Sequence, residues 1–252
     1  GNPLKSRIKI FNDKIFLVDQ SNRILCFDTK NGTKVWDVRT AQSFIKSQYF
    51  LALAISNSGS LVTINSRGDL LKIDTKYGKV IWSLNVADTK LAQDIDFFKS
   101  SDIVITDNSI IFSTSSETFS LNLQNGYTNW KQNVGSNNTP IVDGDNIFLV
   151  TNNGFLVNLD KKSGKIIYSS NVLKILDRKG RKTKVIGYIL GSEKIYSLTS
   201  NGHIIITSAT LGNSLNFKKI GKFKKNNANT NPIISNGSLY ILTENQKILG
   251  FN

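Results

Sequence analysis

The stretch DTKNGTKVW at residues 28–36 sets an Asp, a Gly four positions on and a Trp four positions after that. The same arrangement returns as DTKYGKVIW at 74–82, NLQNGYTNW at 122–130 and DKKSGKIIY at 160–168. A degenerate copy, SATLGNSLN, occupies 208–216. The glycines are Gly32, Gly78, Gly126, Gly164 and Gly212, spaced by 46, 48, 38 and 48 residues. A period in this range marks a repeat architecture whose unit is one small supersecondary motif. All three Trp residues of the chain, Trp36, Trp82 and Trp130, stand at Gly plus four, where Tyr168 and Asn216 take the place in the last two copies. A residue type used three times in 252 positions, always in one register, has a structural role there.

The fourth copy shows what surrounds that core. PIVDGDN is a short strand with a turn on Asp143 and Gly144. IFLVT is an apolar strand, NNG a hairpin turn, and FLVNLD an alternating strand. KKSG turns again, with Gly164 free to take a positive φ, and KIIYSS is the last strand. Four antiparallel strands make a sheet too small to stand alone, so it must pack face to face on its neighbours, and radial packing of such sheets is the β-propeller solution. The expected fold is therefore all-β, a β-propeller of four-stranded antiparallel blades. About six blades are expected in one domain over 1–252, at roughly 7–40, 48–86, 102–134, 139–172, 185–218 and 231–252. The last has only three strands, while the first already has four of its own. The aromatics Trp36, Trp82, Trp130 and Tyr168 are expected on the outermost strand of each blade, docked against the next blade.

Composition limits the chemistry. One His and one Cys leave little material for a His- or Cys-based nucleophile site. His203 follows SNG and is expected in an exposed hairpin, whereas Cys26 lies in an alternating strand and is expected in the core. No acidic cluster has metal-ligand spacing, and no glycine-rich phosphate loop stands out. Neither catalytic nor metal-binding residues are assigned. The longest apolar run, Tyr49–Ile55, is far too short to span a bilayer.

The repeated apolar strand followed by Asp-x-x-x-Gly-x-x-x-Trp resembles the pyrroloquinoline-quinone-like propeller repeat, over the whole chain and most specifically in copies one to four. Within that superfamily the chain is most similar to the BamB family, the lipoprotein subunits of the outer-membrane β-barrel assembly machinery. Such chains end on a three-strand blade with closing residues much like LYILTENQKILGFN. Counted back from that end, and with no Met at position 1, the chain is expected to be the C-terminal part of an eight-bladed ring, the alternative being a six-bladed ring that closes imperfectly. The resemblance implies a non-catalytic protein-interaction scaffold in the periplasm of a Gram-negative bacterium, associated with the outer membrane and without a cofactor. Its partner would be the periplasmic domains of a BamA-like barrel insertase, and the chain itself would be monomeric. By that resemblance the docking loops are 39–48, with Phe44, Ile45 and Lys46, and 87–102, with Asp94 and Asp96. The bland alternative is that Phe44 and Ile45 begin a strand, and that the aspartates cap turns. The other branch, the quinone-dependent dehydrogenases, would need a longer chain, a Trp floor under the cofactor, a Ca²⁺ site and an Asp base. A propeller that binds other periplasmic peptides or glycans is a further alternative.

Charge is unevenly spread. Residues 174–184 hold six basic side chains (Lys174, Arg178, Lys179, Arg181, Lys182, Lys184) and one acid. Residues 218–225 hold five (Lys218, Lys219, Lys222, Lys224, Lys225) and none, so the two segments carry ten of the chain's fourteen excess positive charges. Both are expected in blade-to-blade connections. Such a patch attracts anions: an acidic partner domain or an anionic membrane surface. Nucleic acid is disfavoured because no aromatic residues interleave with the basic ones, Phe223 apart.

Overall fold

A computed structural model describes residues 2–41, 49–87, 98–180, 182–221, 231–243 and 247–251. The chain falls into two compact units, Gly1–Lys131 and Gln132–Asn252. The first is built from three antiparallel sheets. Strands β1 (Lys9–Phe11), β2 (Lys14–Val18), β3 (Arg23–Asp28) and β4 (Lys34–Arg39) form one, paired in chain order. A second holds β5 (Ala52–Ile55), β6 (Ser60–Ile64), β7 (Asp69–Asp74) and β8 (Val80–Asn85), and the third β9 (Val104–Thr106), β10 (Ser109–Ser113), β11 (Thr118–Asn122) and β12 (Thr128–Gln132). The second unit repeats the plan with β13 (Ile141–Asp143), β14 (Asn146–Val150), β15 (Phe155–Asp160) and β16 (Ile166–Asn171), then a 3₁₀ segment, Val172–Gly180. After it come β17 (Val185–Gly191), β18 (Lys194–Thr199), β19 (His203–Ser208) and β20 (Ser214–Lys219), and a three-stranded sheet of β21 (Ile233–Ser235), β22 (Ser238–Leu242) and β23 (Ile248–Phe251). These are propeller blades.

The core of each unit lies between successive sheets. Phe16, Ile24 and Cys26 of the first sheet pack with Leu53, Leu61, Leu71 and Ile73 of the second. Val62, Ile64 and Leu70 of the second pack with Ile110, Phe112 and Leu121 of the third. In the second unit, Phe148, Val150 and Leu156 meet Tyr188, Ile195 and Ile205, with Val172, Leu173 and Leu176 of the 3₁₀ segment closing the cluster. Leu198 and Ile204 meet Leu239 and Ile241. Every sheet thus buries its apolar face against a neighbouring sheet of its unit, as blades too small for a core of their own must.

The Asp-x-x-x-Gly signature is the turn between the third and fourth strands. The Asp28 carboxylate accepts the Lys30 amide at 2.8 Å and the Asn31 amide at 3.3 Å, and the Gly32 amide donates to the Asp28 carbonyl at 3.0 Å. Asp74, Asn122 and Asp160 make the same turn, and Ser208 makes it with its hydroxyl. A short polar side chain that satisfies amides two and three residues on, followed by a residue with positive φ, is what such a turn requires. Just beyond it the register slips at an equivalent place in four of the sheets: between Cys26 and Phe27, Lys72 and Ile73, Asn158 and Leu159, and Ile206 and Thr207. The bulge sets the aromatic of the outer strand opposite a fixed position of the third strand. Trp36 lies opposite Cys26, Trp82 opposite Lys72, and Tyr168 opposite Asn158.

Candidate interaction surface

The repeated aromatics occupy equivalent seats. Trp36 packs over Gly78 of the following blade, so closely that a Cβ built there would lie 2.7 Å from its ring. Its indole Nε1–H donates to the Thr75 carbonyl at 3.1 Å. Trp82 packs over Gly126 and donates to the Leu123 carbonyl at 3.2 Å. In the second unit, Tyr168 packs over Gly212, and its hydroxyl donates to the Ala209 carbonyl. Each carbonyl belongs to the residue three before the seating glycine. The glycine that matters to an aromatic is therefore the next blade's, not its own. Trp130 is also buried, at 9% exposure, and Asn216, the degenerate fifth copy, is exposed. The seats consume the aromatic faces of Trp36, Trp82 and Tyr168, which are therefore not free to meet other molecules.

Phe44, Ile45 and Lys46 lie outside the described residues, as do Asp94 and Asp96. The ends of their two connections are described and come together. Tyr49, 45% exposed, closes the first connection, and the Lys99 ammonium of the second stands 4.5 Å from its ring centroid. Phe50 beside it is 63% exposed. Phe98 is anchored inward: its amide donates to the Ser66 carbonyl at 3.1 Å and its ring packs on the core of the second and third sheets. Arg7 pairs with Asp102 at 3.4 Å where the second connection ends. Tyr49 and Lys99 escape a reading of the sequence alone. The one signal they carry there is their position, flanking the two candidate docking connections.

Of the basic residues, Lys174, Lys182, Lys184, Lys218 and Lys219 are exposed, while the side chains of Arg178, Lys179, Arg181, Lys222, Lys224 and Lys225 lie outside the described set. Lys218 and Lys219 do not belong to a connection. They end strand β20, because the antiparallel pairing with β19 runs on to His203 opposite Lys219. His203 itself corrects the expectation of an exposed hairpin residue. It opens β19 and is buried at 5% exposure, its Nδ1 2.9 Å from Asn201 Oδ1 and its ring 5.9 Å from that of Phe217. The turn Thr199–Gly202 folds over the imidazole, whose backbone amide donates to Thr199 Oγ1 at 2.9 Å. A cavity of about 390 Å³ sits against the 3₁₀ segment, lined by Asn153, Asn171, Leu173, Lys174, Asp177, Gly180 and Thr183.

Titrating groups follow their surroundings. Burial pushes the Cys26 thiol up to about 11, consistent with a core residue at 0% exposure. Hydrogen bonds from Arg23 (2.7 Å) and Lys34 (2.6 Å) hold the Asp37 carboxyl well below the usual carboxylate range. Burial lowers the Lys72 ammonium, whose Nζ reaches Gln124 Oε1 at 3.4 Å. None of these sits in a cleft with a second reactive group. Among the described residues no three His, Cys, Asp or Glu side chains gather to hold a metal.

Blades of this kind, joined by Asx-turn glycines that seat the preceding blade's aromatic, define the pyrroloquinoline-quinone-like propeller repeat class. Residues 2–170 match the family model described as outer membrane protein assembly factor BamB, and the chain belongs to that family. The outer membrane protein assembly factor BamB of Yersinia pestis is 24% identical over 168 residues, 65% of this chain and 42% of that protein. The crystal structure of BamB from Moraxella catarrhalis superposes with a TM-score of 0.59 at 12% identity, over 99% of this chain and 85% of that one. The quinohemoprotein alcohol dehydrogenase of Comamonas testosteroni superposes with a TM-score of 0.63 at 11% identity, over 89% of this chain and 45% of that one. At such identities the superpositions establish the fold. The chain spans 40% to 62% of the lengths of the curated relatives it matches.

Proposed function

We propose that this chain is a non-catalytic scaffold that assists assembly of outer-membrane β-barrel proteins, working in the periplasm at the outer membrane. It would do so as one propeller domain by docking the periplasmic domains of a BamA-like insertase. The observation that carries this reading is the family match over residues 2–170, which takes in both proposed docking connections. The meeting of Tyr49 and Lys99 at the ends of those connections supports their acting together. Phe44 and Ile45 would supply an apolar anchor, ringed by Lys46, Asp94 and Asp96, the composition expected of a small hot spot. Arg and Lys differ in fork geometry, so Lys46 would act as a point charge. The test is capture of the insertase's periplasmic domains by the chain carrying Asp94→Lys and Asp96→Lys together. About a tenfold loss of affinity is expected, about 1.4 kcal/mol, felt mainly in the association rate and its salt dependence because two charges of the ring change sign. Recovery equal to the parent would remove the assignment.

A second reading, a quinone-dependent dehydrogenase, has the Comamonas superposition in its favour. Titration with the quinone and Ca²⁺ distinguishes the two: a saturable change in the cofactor's absorbance would favour the enzyme.

A further inference from the structure

We propose that the lysine rim of the second unit is a docking surface for a bilayer bearing anionic phospholipid headgroups. This does not rest on the insertase reading and stands or falls separately.

The rim is assembled by one short turn. Lys184 closes the connection from β16 to β17 and is tied to Ser200 in both directions: its amide donates to Ser200 Oγ at 3.0 Å, and the Ser200 amide donates to its carbonyl at 2.8 Å. Two residues on, the Gly202 carbonyl accepts the amides of Ile220 at 2.8 Å and Gly221 at 3.3 Å, immediately after Lys218 and Lys219. Two segments thirty-odd residues apart in sequence are thus pinned to the same turn, and Lys182, Lys184, Lys218 and Lys219 are all exposed there. Among the described residues none of the four pairs with a carboxylate, and the same holds for Lys174. Lys218 instead lies 5.2 Å over the Phe251 ring.

The charge is local. Outside segments 174–184 and 218–225, residues 132–252 hold five basic and five acidic side chains. The whole excess of this unit therefore sits in the two segments whose described ends, Lys182–Lys184 and Lys218–Lys219, meet at that turn. Mutual repulsion of unpaired lysines is tolerated on a surface that meets counter-charge. A dense field of one sign, acting within a Debye length, suits a surface of many monovalent negative charges.

The chemistry favours lipid over other polyanions. Nine of the eleven basic residues in the two segments are Lys, compact hydrated charges on flexible stems, rather than the planar forks that select phosphodiesters or matched carboxylates. Phe217, on the same strand, is engaged with the His203 ring, and Phe251 lies against Lys218, so neither is a free stacking platform for bases. Leu215, 49% exposed, adds apolar surface on the same strand, which a headgroup layer accommodates. Among the described residues no helix is long and apolar enough to cross a membrane, so the contact proposed is with the surface.

The test is co-sedimentation of the chain with vesicles of phosphatidylcholine, alone or doped with phosphatidylglycerol. Binding is expected to doped vesicles only, and to vanish as salt rises from about 0.1 M to about 1 M, where the Debye length falls from about 10 Å to about 3 Å. Each lysine neutralised should weaken binding about fivefold. The variant Lys182→Glu, Lys184→Glu, Lys218→Glu, Lys219→Glu should therefore lose at least about a hundredfold. Its control has the same change in net charge, made at four other exposed lysines of the unit: Lys162→Glu, Lys165→Glu, Lys194→Glu, Lys247→Glu. The control should keep most of its binding, and circular dichroism checks that both variants fold. Soluble glycerol phosphate should compete poorly, since the rim reads a surface rather than one headgroup. Equal binding to neutral vesicles, equal loss in the control, or tighter binding to an oligonucleotide or polyglutamate than to doped vesicles would each overturn the proposal.

Discussion

Gly78→Ala tests the seat geometry directly, because the fold supplies its own control. Gly78 and Gly32 hold the same turn position with nearly the same backbone, φ +72 and φ +69. A Cβ at Gly32 meets nothing within 4 Å, whereas one at Gly78 would lie 2.7 Å from Cδ2 and 2.9 Å from Cε3 of Trp36. Both substitutions bear the left-handed backbone penalty of about 1–2 kcal/mol. Only Gly78→Ala must also displace a ring held by the Nε1 bond to Thr75. Forcing an extra methyl into such a contact costs about 1–3 kcal/mol. We therefore expect Gly32→Ala to cost about 1–2 kcal/mol and Gly78→Ala about 2–5 kcal/mol, read as shifts of the urea midpoint at constant m. Gly126→Ala should fall between, since its Cβ would stand 3.0 Å from Leu84 and 3.1 Å from the Trp82 ring. The excess must also depend on the ring: in a Trp36→Ala background, Gly78→Ala should cost no more than Gly32→Ala. If Gly78→Ala and Gly32→Ala prove equal within about 0.5 kcal/mol, beyond which such differences exceed ordinary additivity error, the seat is not a tight contact and the reasoning fails.

Tyr168 and Lys72 supply the remaining tests. Tyr168→Phe removes the donor to the Ala209 carbonyl while keeping the ring over Gly212, so it should cost about 1–3 kcal/mol in the same unfolding assay. In the parent, burial pushes the Tyr168 phenol up to about 12, so its tyrosinate absorbance should appear only above the ordinary phenol range in an alkaline titration, and an ordinary midpoint would refute the burial. Lys72→Met should stabilise the chain at neutral pH by about 1 kcal/mol, because the buried ammonium has only a 3.4 Å contact to Gln124. Desolvation lowers the folded pKa of Lys72, so the unfolded chain binds the extra proton and the parent gains stability as pH rises between the folded and unfolded values. The advantage of Lys72→Met should therefore shrink toward alkaline pH. An advantage that held constant or grew would refute it.

The fold was legible because its instructions are local and repeated. Asp28, Gly32 and Trp36 lie within nine residues, and their contributions are physically separable. The Asp caps amides, the Gly takes the positive φ, and the Trp fills a seat. Five near-copies then multiply a weak signal into a strong one. What the sequence concealed was the residue that forms the seat. The repeat predicts that the aromatics dock on the next blade, but not that the next repeat's glycine receives them: Gly78 serves Trp36 from 42 residues away. No period within one repeat carries that information, since it depends on how one sheet lies over the next. His203 misled for a related reason. SNGH reads as an exposed hairpin, but pairing of β19 with β20 extends to its own residue and draws the imidazole beneath the turn.

The connections resist sequence reading for the opposite reason. Each occurs once, so no second copy exists against which to separate the residues that shape a loop from those that meet a partner. Phe98 shows the difficulty. As part of DFF it could be an exposed anchor or a plug, and its amide bond to Ser66 and its packing on the core make it the plug. Asp94 and Asp96 sit a few positions earlier in the same connection, and only the family resemblance distinguishes them from turn caps. The lysine rim differs again, because charge is counted along a chain without knowing the fold. What the fold adds is convergence: the Ser200–Gly202 turn ties Lys184 of one run to the residues just after Lys219 of the other, bringing their described ends to one place. Repeated elements therefore report architecture from sequence, whereas unique elements acquire a function only once the architecture shows which of them are neighbours.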